Sequence, residues 1–295
     1  MVTFYMYCGI SGSGKTYKAY EMHGKDTIII DSDNVREQIC PNGAVDQTMN
    51  AKVFEFMYKE TCKYLTDDIS ICYVATNISA KRRISLLKNL RKKFKDLKCI
   101  CYIINTPINT CYERNTTRER HVPDYVIKRQ LESFQIPCEE EGWNKIEIID
   151  NYKEDYDAIN CMIDIQEQVK NFGNQNNIHH NYTLEKHCLM CGNEAIKKKS
   201  NKFIIQAGYI HDYGKILTAT RWDKDNYKEV HYPGHASVSG YLALNMGYSL
   251  HVAQLVAYHM LPYTDQKCQD TWRARLGENL WKEIIELHRY DEAAH

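Results

Sequence analysis

Residues 9–16 read Gly9-Ile10-Ser11-Gly12-Ser13-Gly14-Lys15-Thr16 and follow a short apolar run at residues 2–8. This spacing between a strand and a helix is typical of a phosphate-binding loop. Glycines let backbone N–H groups surround a phosphate, and the positive end of the next helix attracts the same anion. We therefore predict that Lys15 contacts the β- and γ-phosphates of ATP and that Thr16 ligates Mg²⁺. The predicted ATP-binding residues of the loop are Gly9, Ser11, Gly12, Ser13, Gly14, Lys15 and Thr16.

The alternative is a plain glycine turn between a strand and a helix. Tyr17 stands where a small polar residue is often found, and it leaves the argument for phosphate binding unchanged.

Strand-like and helix-like segments alternate over residues 1–150. Apolar runs lie at residues 2–8, 27–31, 71–75, 99–104 and 145–149, and segments with helical features at 53–65, 84–94 and 125–134. This alternation predicts an α/β domain with a parallel sheet and helices on both faces. A helix near residues 155–169 is expected to close a first domain of residues 1–170. The asparagine-rich segment 171–182 is the predicted linker, and residues 183–295 read as an all-α domain.

Composition indicates an ordinary globular chain of 295 residues, 43% hydrophobic and 26% charged. No apolar stretch reaches the roughly 18 residues of a membrane span, and no basic leader is visible, so we expect neither a membrane partner nor secretion. The 12 cysteines are scattered along predicted strands and helices. They favour reduced thiols over disulfides, as in a reducing intracellular compartment. We expect a cytoplasmic protein, with a phage or a bacterial host as its source. Helical spacing accounts for the pair Cys188 and Cys191.

Charge is balanced overall, but residues 81–120 hold 12 basic and 3 acidic side chains. Such a surface suits a polyanionic ligand, and a solvated basic helix is the alternative. At the end of the second predicted strand, Asp31 and Asp33 are both candidates for a general base on an attacking hydroxyl. Arg36, one helical turn later, could hold an acceptor phosphate. Alternatively, Asp33 only caps the next helix.

A second group of arginines follows the fourth predicted strand. Arg114 and Arg118 are four residues apart, and Arg120 follows them, so the first two share one helical face. Arginines placed in this way can form a lid that neutralises charge on a transferring phosphoryl group. A plain basic helix end is the alternative.

Residues 1–137 resemble phage-type polynucleotide 5′-kinases. The resemblance rests on the phosphate loop, the strand-end Asp33 with Arg36, Thr76-Asn77 before an arginine-rich helix, and the Arg-Asn-x-x-Arg lid followed by Val-Pro. It implies that Asp33 rather than Asp31 is the general base, that Arg36 contacts the acceptor phosphate, and that Arg118 contacts the donor phosphates. It also implies donor contacts for Arg114 and acceptor contacts for Thr76, Asn77 and Arg82. The sequence departs from the family at Ala75, where an acidic residue is frequent.

Ten of the 12 histidines lie at or after residue 179. His211 and Asp212 are adjacent, and further imidazoles and carboxylates stand on other predicted helices. Side chains of these types from separate helices can converge on one or two divalent ions. Each histidine by itself is more often a hydrogen-bonded structural residue.

This set resembles the HD phosphohydrolase superfamily over residues 178–295, and most closely the HD domain attached to bacterial tRNA nucleotidyltransferases. The resemblance implies 2′,3′-cyclic phosphodiesterase and phosphatase activity. It implies one or two ions (Mg, Mn, Co, Ni or Zn) and a catalytic role for Asp212, with Lys215 matching the family's basic residue. The implied metal ligands are His187, His211, Asp212, His235, His259 and Asp291. Asp265 and Asp270 are rival candidates for the last ligand.

Together the two resemblances imply an RNA end-healing enzyme. It would phosphorylate 5′-hydroxyl ends with ATP and remove 2′,3′-cyclic, 3′- or 2′-phosphates, on RNA or DNA ends and with an RNA ligase as a partner. One alternative is a nucleoside or other small-molecule kinase, similar to zeta-type toxins, fused to an HD nucleotidase. Another is a nucleotide-binding regulatory module whose metal is structural.

Overall fold

The computed structural model describes residues 2–39, 47–118, 121–154, 156–176, 181–221 and 230–294. Contacts divide the chain into two compact units, which we treat separately. The first unit comprises Met1–His121 and Glu141–Asn151, and the second comprises Val122–Glu140 and Tyr152–His295.

The first unit is built on a five-stranded sheet in which every pairing is parallel, with the order β2-β3-β1-β4-β5. The strands are β1 (Thr3–Cys8), β2 (Thr27–Asp31), β3 (Ser70–Val74), β4 (Lys98–Asn105) and β5 (Lys145–Asp150). All five predicted strands are confirmed to within one residue at each end. Their carboxyl ends meet at one edge of the sheet, which is where ligands bind in such folds.

Helices cover both faces of this sheet. They are α1 (Lys15–Met22), α2 (Ser32–Ile39), α3 (Gln47–Thr66), α4 (Ala80–Lys93) and α5 (Ile108–Thr116). Alternate residues of a strand point to opposite faces. Accordingly Phe4 and Met6 pack in a core with residues of α2, α3 and α4, whereas Tyr7 packs in a second core with Ala19 of α1. The predicted α/β architecture is thus confirmed.

The second unit is mainly helical. Its helices are α6 (Asp124–Glu132), α7 (Ala158–Phe172), α8 (Leu184–Lys197), α9 (Lys202–Ile210), α10 (Lys215–Thr218), α11 (His235–Asn245), α12 (Leu250–Tyr258), α13 (Gln266–Leu276) and α14 (Glu278–Ala293). Local sequence starts several of them, because a side-chain oxygen accepts from a backbone N–H of the first turn. These caps are Asp157, Thr183, Asn201, Ser249 and Asp265.

The bounds of the two units differ from the predicted domain bounds, because α6 and α7 pack with the C-terminal helices. Tyr258 donates to the Ile136 carbonyl at 2.6 Å, and Gln254 donates to the Pro137 carbonyl at 2.7 Å. Phe134 lies edge-on to the ring of Tyr241. These contacts place residues of the predicted first domain in the second unit, which comprises Val122–Glu140 and Tyr152–His295.

The helical prediction for the second half needs one correction. Two short strands, β6 (Thr220–Arg221) and β7 (Val230–His231), form an antiparallel pair. The Val230 N–H also donates to the Asn176 carbonyl at 2.9 Å, inside the predicted linker. Neither strand shows a sequence signal because each is only two residues long. Residues 177–180 of the linker lie outside the described residues, as does Arg120.

Cys188 and Cys191 are buried on α8, and burial raises the pKa of Cys188 to about 12, as expected of core thiols. Among the residues that the structure describes, no helix has the length and apolarity needed to span a membrane.

Candidate functional sites

The segment after β1 forms a tight loop that leads into α1. Gly12 and Gly14 have φ of +82° and +80°, a conformation that side-chain-bearing residues rarely adopt. A Cβ at Gly12 would collide with the carbonyl of Cys111, and one at Gly14 would lie 2.6 Å from the Asn151 amide nitrogen. The loop therefore requires glycine at both positions, and its backbone N–H groups remain next to the first turn of α1.

Two side chains from the sheet edge hold this loop from behind. The Thr106 hydroxyl and the Asn151 amide each donate to the Ser13 carbonyl at 2.8 Å. They stand just beyond the carboxyl ends of β4 and β5. Their position after predicted strands was the available sequence signal, and we did not predict a role for either residue.

Lys15 folds back over the loop. Its ammonium donates to the Ile10 carbonyl at 2.8 Å and to the Ser13 hydroxyl at 3.4 Å. Burial lowers the pKa of Lys15 to about 8, against the opposing effect of the Asp33 carboxylate. A bound polyphosphate would offset that burial cost, since it would supply negative charge next to the ammonium.

Asp31 and Asp33 have different environments. Asp31 is 4% exposed, and its carboxylate accepts from the Thr16 hydroxyl at 2.6 Å and from the Asp33 N–H at 2.7 Å. The side chain of Asp33 is 55% exposed and lies 3.8 Å from the Arg118 guanidinium. Asp31 thus orients the predicted Mg²⁺ ligand and the start of α2, whereas Asp33 is open to a second substrate.

These groups surround a cavity of about 340 Å³ at the carboxyl edge of the sheet. That volume falls within the range of small-ligand sites. The lining residues are Ser11, Gly12, Gly14, Lys15, Thr16, Tyr17, Asp31, Ser32, Asp33, Val74, Ala75, Thr76, Arg114 and Arg118. The structure thus brings the loop, the predicted general base, Thr76 and both lid arginines together.

Two other predicted acceptor residues, Arg36 and Arg82, have different environments. Arg36 donates to the Asn50 side chain at 2.8 Å, and its buried Nη1 makes no hydrogen bond to any described residue. An unsatisfied guanidinium nitrogen of this kind fits an anionic ligand. Arg82 is exposed, and its guanidinium carbon lies 5.8 Å from the ring centroid of Phe54. Of the predicted acceptor residues, Thr76 lines the loop cavity, whereas Arg36, Asn77 and Arg82 are not among the described lining residues.

Asn77 and Arg83 form a support beneath the site. Asn77 has φ +50° and donates its amide to the Tyr7 carbonyl at 2.8 Å. Arg83, 1% exposed, donates to the Asn77 carbonyl at 2.8 Å and to both carboxylate oxygens of Glu141. Trp143 donates to the same carboxylate at 3.0 Å. The amide of Asn77 therefore fixes the backbone next to Thr76.

The second unit gathers histidine and aspartate side chains in its core. They come from α8 (His187), the end of α9 (His211 and Asp212), the start of α11 (His235), the end of α12 (His259) and α14 (Asp291). They form three overlapping groups of three residues, and within each group the ligand atoms lie within 4.8 Å of one another. We call these six residues the His–Asp cluster.

Asp212 lies between two halves of the His–Asp cluster. One half comprises His187, His211 and Asp291, and the other comprises His235 and His259. Asp212 Oδ2 is 3.3 Å from His187 Nε2 and 3.6 Å from His211 Nε2, and both imidazoles also face Asp291 Oδ1, at 3.0 and 3.2 Å. Its Oδ1 is 3.2 Å from His235 Nε2 and 3.5 Å from His259 Nε2. One carboxylate thus offers a different oxygen to each half.

Backbone carbonyls set the orientation of all four imidazoles. The Nδ1 atoms face the carbonyls of Ala294, Gly208, Tyr232 and Val256 at 3.3, 2.9, 2.8 and 2.7 Å. A carbonyl only accepts, so Nδ1 carries a proton in each ring and Nε2 is the nitrogen that faces the interior of the His–Asp cluster. Asp212 and Asp291 raise the pKa of His187 and, further, that of His211 against the effect of burial, so a cation would displace a proton from these two rings. The Nε2 atoms of His235 and His259 are buried and face Asp212 Oδ1 without the geometry of a full hydrogen bond.

This donor set fits one or two divalent cations. Burial acts to raise the pKa of Asp212, but the nearby Lys215 ammonium and His211 imidazole hold it well below its usual value. The pKa of Asp291 is also held well below the usual range by His211 and His187, against its burial. Ionised carboxylates and imidazole Nε2 atoms are the ligands that borderline divalent ions take. The rival candidates Asp265 and Asp270 are exposed and bond within α13, which favours Asp291.

Gln175 is a buried polar residue next to the His–Asp cluster that was not predicted from the sequence. The Lys215 ammonium lies 2.6 Å from Asp212 Oδ2 and donates to the Gln175 side chain at 2.7 Å. Gln175 is 1% exposed, and its backbone carbonyl accepts from the Tyr232 hydroxyl. Gln175 belongs to the predicted linker, where nothing in the local pattern distinguishes it.

Comparison with known proteins supports the fold of the first unit. Residues 5–137 match a family model described as an AAA domain. The matched range includes the loop, Asp33 and both lid arginines. The first unit accordingly has a P-loop kinase-like fold.

Solved structures that are similar to the chain include the following three. A chain of the Pnkp1/Rnl/Hen1 RNA repair complex is 13% identical with a TM-score of 0.38, over 45% of this chain and 44% of that chain. A sugar kinase from Janibacter sp. HTCC2649 is 14% identical with a TM-score of 0.36, over 51% and 86%. The tunicamycin resistance protein of Deinococcus radiodurans is 15% identical with a TM-score of 0.34, over 49% and 89%. The match thus spans less than half of the repair-complex chain.

Proposed function

We propose that this protein heals broken nucleic-acid ends, with a polynucleotide 5′-hydroxyl kinase in the first unit and a metal-dependent phosphohydrolase in the second. The observation that supports the kinase most directly is the placement of Asp33. It lies at the wall of the loop cavity, more than half exposed, beside a lid arginine. An acceptor hydroxyl could approach it while a triphosphate lies on the loop.

In the proposed transfer, Asp33 accepts the proton of the 5′-hydroxyl as that oxygen bonds to the γ-phosphorus. The bond from the γ-phosphorus to the bridging oxygen breaks, and ADP leaves with the electron pair. Lys15 and Arg118 stabilise the negative charge on the transferring group. Arg36, whose Nη1 is buried without a hydrogen bond to a described residue, would hold the acceptor phosphate.

For the second unit we propose removal of a 2′,3′-cyclic phosphate or of a terminal 2′- or 3′-phosphate. Divalent cations held by the His–Asp cluster would lower the pKa of a bound water and polarise a phosphoryl oxygen. The chain's own contribution is to fix the imidazole tautomers and to keep Asp212 ionised. Lys215 supplies a buried positive charge beside Asp212.

Both activities can be measured on one substrate, an oligoribonucleotide with a 5′-hydroxyl and a 2′,3′-cyclic phosphate. With ATP, Mg²⁺ and Mn²⁺ we expect transfer of the γ-phosphate to the 5′ end and loss of the cyclic phosphate at the 3′ end. Lys15→Met should remove only the first product and Asp212→Asn only the second, so each variant serves as the control for the other.

The same assay separates the proposed function from a small-molecule kinase. Residues 81–120 hold an excess of basic side chains, which predicts that turnover rises from a mononucleoside to an oligonucleotide and falls with salt. Equal or better phosphorylation of the nucleoside would favour a small-molecule kinase. Absence of any γ-phosphate transfer to a 5′-hydroxyl end would reject the kinase proposal.

A further inference from the structure

We propose that Tyr17 is a stacking platform for the nucleobase of the acceptor strand's 5′-terminal nucleotide. This inference rests on the proposed 5′-kinase activity and extends it to a base-binding subsite. Tyr17 is the third residue after Gly14, on the first turn of α1, and it is 66% exposed. It lines the loop cavity together with Asp33, Thr76 and Arg118.

The position of Tyr17, rather than its exposure, carries the argument. Tyr20 on the same helix is 60% exposed, yet it is not one of the described residues that line the cavity. Tyr17 supplies the single aromatic ring among those lining residues. The remaining wall consists of glycines, small side chains, two carboxylates and the cations Lys15, Arg114 and Arg118. Those cations suit phosphate oxygens, so a flat base finds an aromatic partner at Tyr17.

The neighbours of Tyr17 favour the acceptor base over the adenine of ATP. Thr16, adjacent in sequence, donates to Asp31, which also binds the backbone of Asp33. The start of α1 is thus linked to the strand end that supplies the proposed general base. Arg114, for which a donor contact is expected, and Asn151 both lie against Gly14.

Stacking of this kind identifies the substrate class. Base–aromatic stacking tolerates any base and strengthens binding by about 5- to 150-fold for each base stacked. A 5′-terminal nucleotide would be held through its base by Tyr17 and through its phosphate by Arg36. A sugar or another acceptor without a base would gain nothing from Tyr17. The ring therefore provides a preference for nucleotide ends that the charged wall alone does not supply.

The test compares acceptors with and without the 5′-terminal base. For the unmodified protein, an abasic 5′-terminal nucleotide should lower kcat/KM by about 5- to 150-fold relative to the base-containing acceptor. Tyr17→Ala should lower it by a similar factor on the base-containing acceptor and cause little further loss on the abasic one. Tyr17→Trp should retain the preference for a base. Tyr20→Ala is the matched control and should behave as the unmodified protein on both acceptors.

Binding provides a readout that does not need turnover. An oligonucleotide with 2-aminopurine at its 5′ end should lose fluorescence on binding to the unmodified protein and to Tyr20→Ala, but not to Tyr17→Ala. Quenching without phosphoryl transfer would uphold the base subsite and reject the kinase function. Efficient transfer with no effect of Tyr17→Ala would overturn the subsite alone. An increase in the KM for ATP, with acceptor kinetics unchanged, would also overturn it by assigning the ring to the donor base.

Discussion

The loop cavity and the His–Asp cluster obtain their ligand-binding groups from different distances along the chain. The loop at residues 9–16 presents consecutive backbone N–H groups, whereas the His–Asp cluster assembles six side chains from positions between 187 and 291. A backbone-built site depends on a local conformation that few residues can adopt. A site built from distant side chains depends on the packing of several helices, so single substitutions should affect the two sites in different ways.

The largest expected effect is that of Asp212→Asn, because Asp212 offers one oxygen to each half of the His–Asp cluster. Removal of cyclic phosphate should become undetectable. Divalent-ion binding at 100 times Kd adds about 2.7 kcal/mol to the free energy of unfolding. The unmodified protein should therefore show a higher Tm with Mn²⁺ than with EDTA, and Asp212→Asn should lose that difference.

Asp270→Asn is the matched control, since it replaces an exposed carboxylate on α13 that was a rival ligand. It should keep both the Mn²⁺-dependent rise in Tm and the hydrolysis. If Asp212→Asn kept the rise in Tm as well, the His–Asp cluster would not be the ion site, and the contrast between the two sites would no longer hold.

Asp33→Asn should have the next largest effect, and only on the first unit. Loss of a general base lowers the rate of a proton-transfer step by about 10²- to 10⁴-fold. We expect the kcat for 5′-phosphorylation to fall within that range, while the KM for ATP and divalent-ion binding by the His–Asp cluster remain unchanged. Asp26→Asn, an exposed carboxylate just before β2, is the control. Full activity of Asp33→Asn would reject Asp33 as the general base; the alternative role of a helix cap does not fit either, because α2 begins at Ser32 and Asp31 accepts from the Asp33 N–H.

Arg83→Met tests how far the backbone of the first site depends on buried support. It leaves the Glu141 carboxylate buried without its bidentate partner, at an expected cost of about 3–5 kcal/mol in the free energy of unfolding. Urea denaturation followed through tryptophan fluorescence, in a background where Trp222, Trp272 and Trp281 are replaced by Phe, measures this loss at Trp143. Lys88→Met, at an exposed position of the same helix, should change stability little. An equal effect of the two variants would show that the ion pair does not hold the segment of Asn77.

Gln175→Ala should have the smallest effect of the four. Without the side-chain carbonyl of Gln175, the Lys215 ammonium would lose one of its hydrogen-bond acceptors and compete more strongly with a cation for Asp212 Oδ2. Substitutions next to metal ligands typically lower metal affinity by about 10- to 100-fold. Competition with a fluorescent chelator would measure this change in Mn²⁺ affinity. Gln168→Ala, on the exposed side of α7, is the control and should leave the affinity unchanged. Unchanged Mn²⁺ affinity in Gln175→Ala would mean that the buried glutamine does not position Lys215.

Much of the first unit could be predicted from sequence because its signals are local. Five apolar runs marked the five strands, and the spacing of glycine, lysine and threonine marked the loop. The different roles of Asp31 and Asp33 could not be predicted from their own chemistry, because both are carboxylates at the end of the same strand. The difference arises from Thr16, which lies 15 residues earlier and donates to Asp31.

In the second unit the sequence indicated the types of ligand but little of their support. The adjacent His211 and Asp212 were a local signal, whereas the choice of Asp291 over Asp265 and Asp270 needed the packing of α14 against α8 and α9. Gln175 gave no signal, because a polar residue in an asparagine-rich segment is ordinarily solvated.

The sequence by itself determined the order of strands and helices in the first unit and the backbone conformation of the loop, since these follow from side-chain periodicity and from glycines at positive φ. Tertiary structure decided that α6 and α7 pack with the C-terminal helices, and it decided which carboxylates face which imidazoles. The physical reason is range. Backbone preferences act within a few residues, whereas burial and ion pairing join residues about a hundred positions apart, and a linear pattern does not encode those distances.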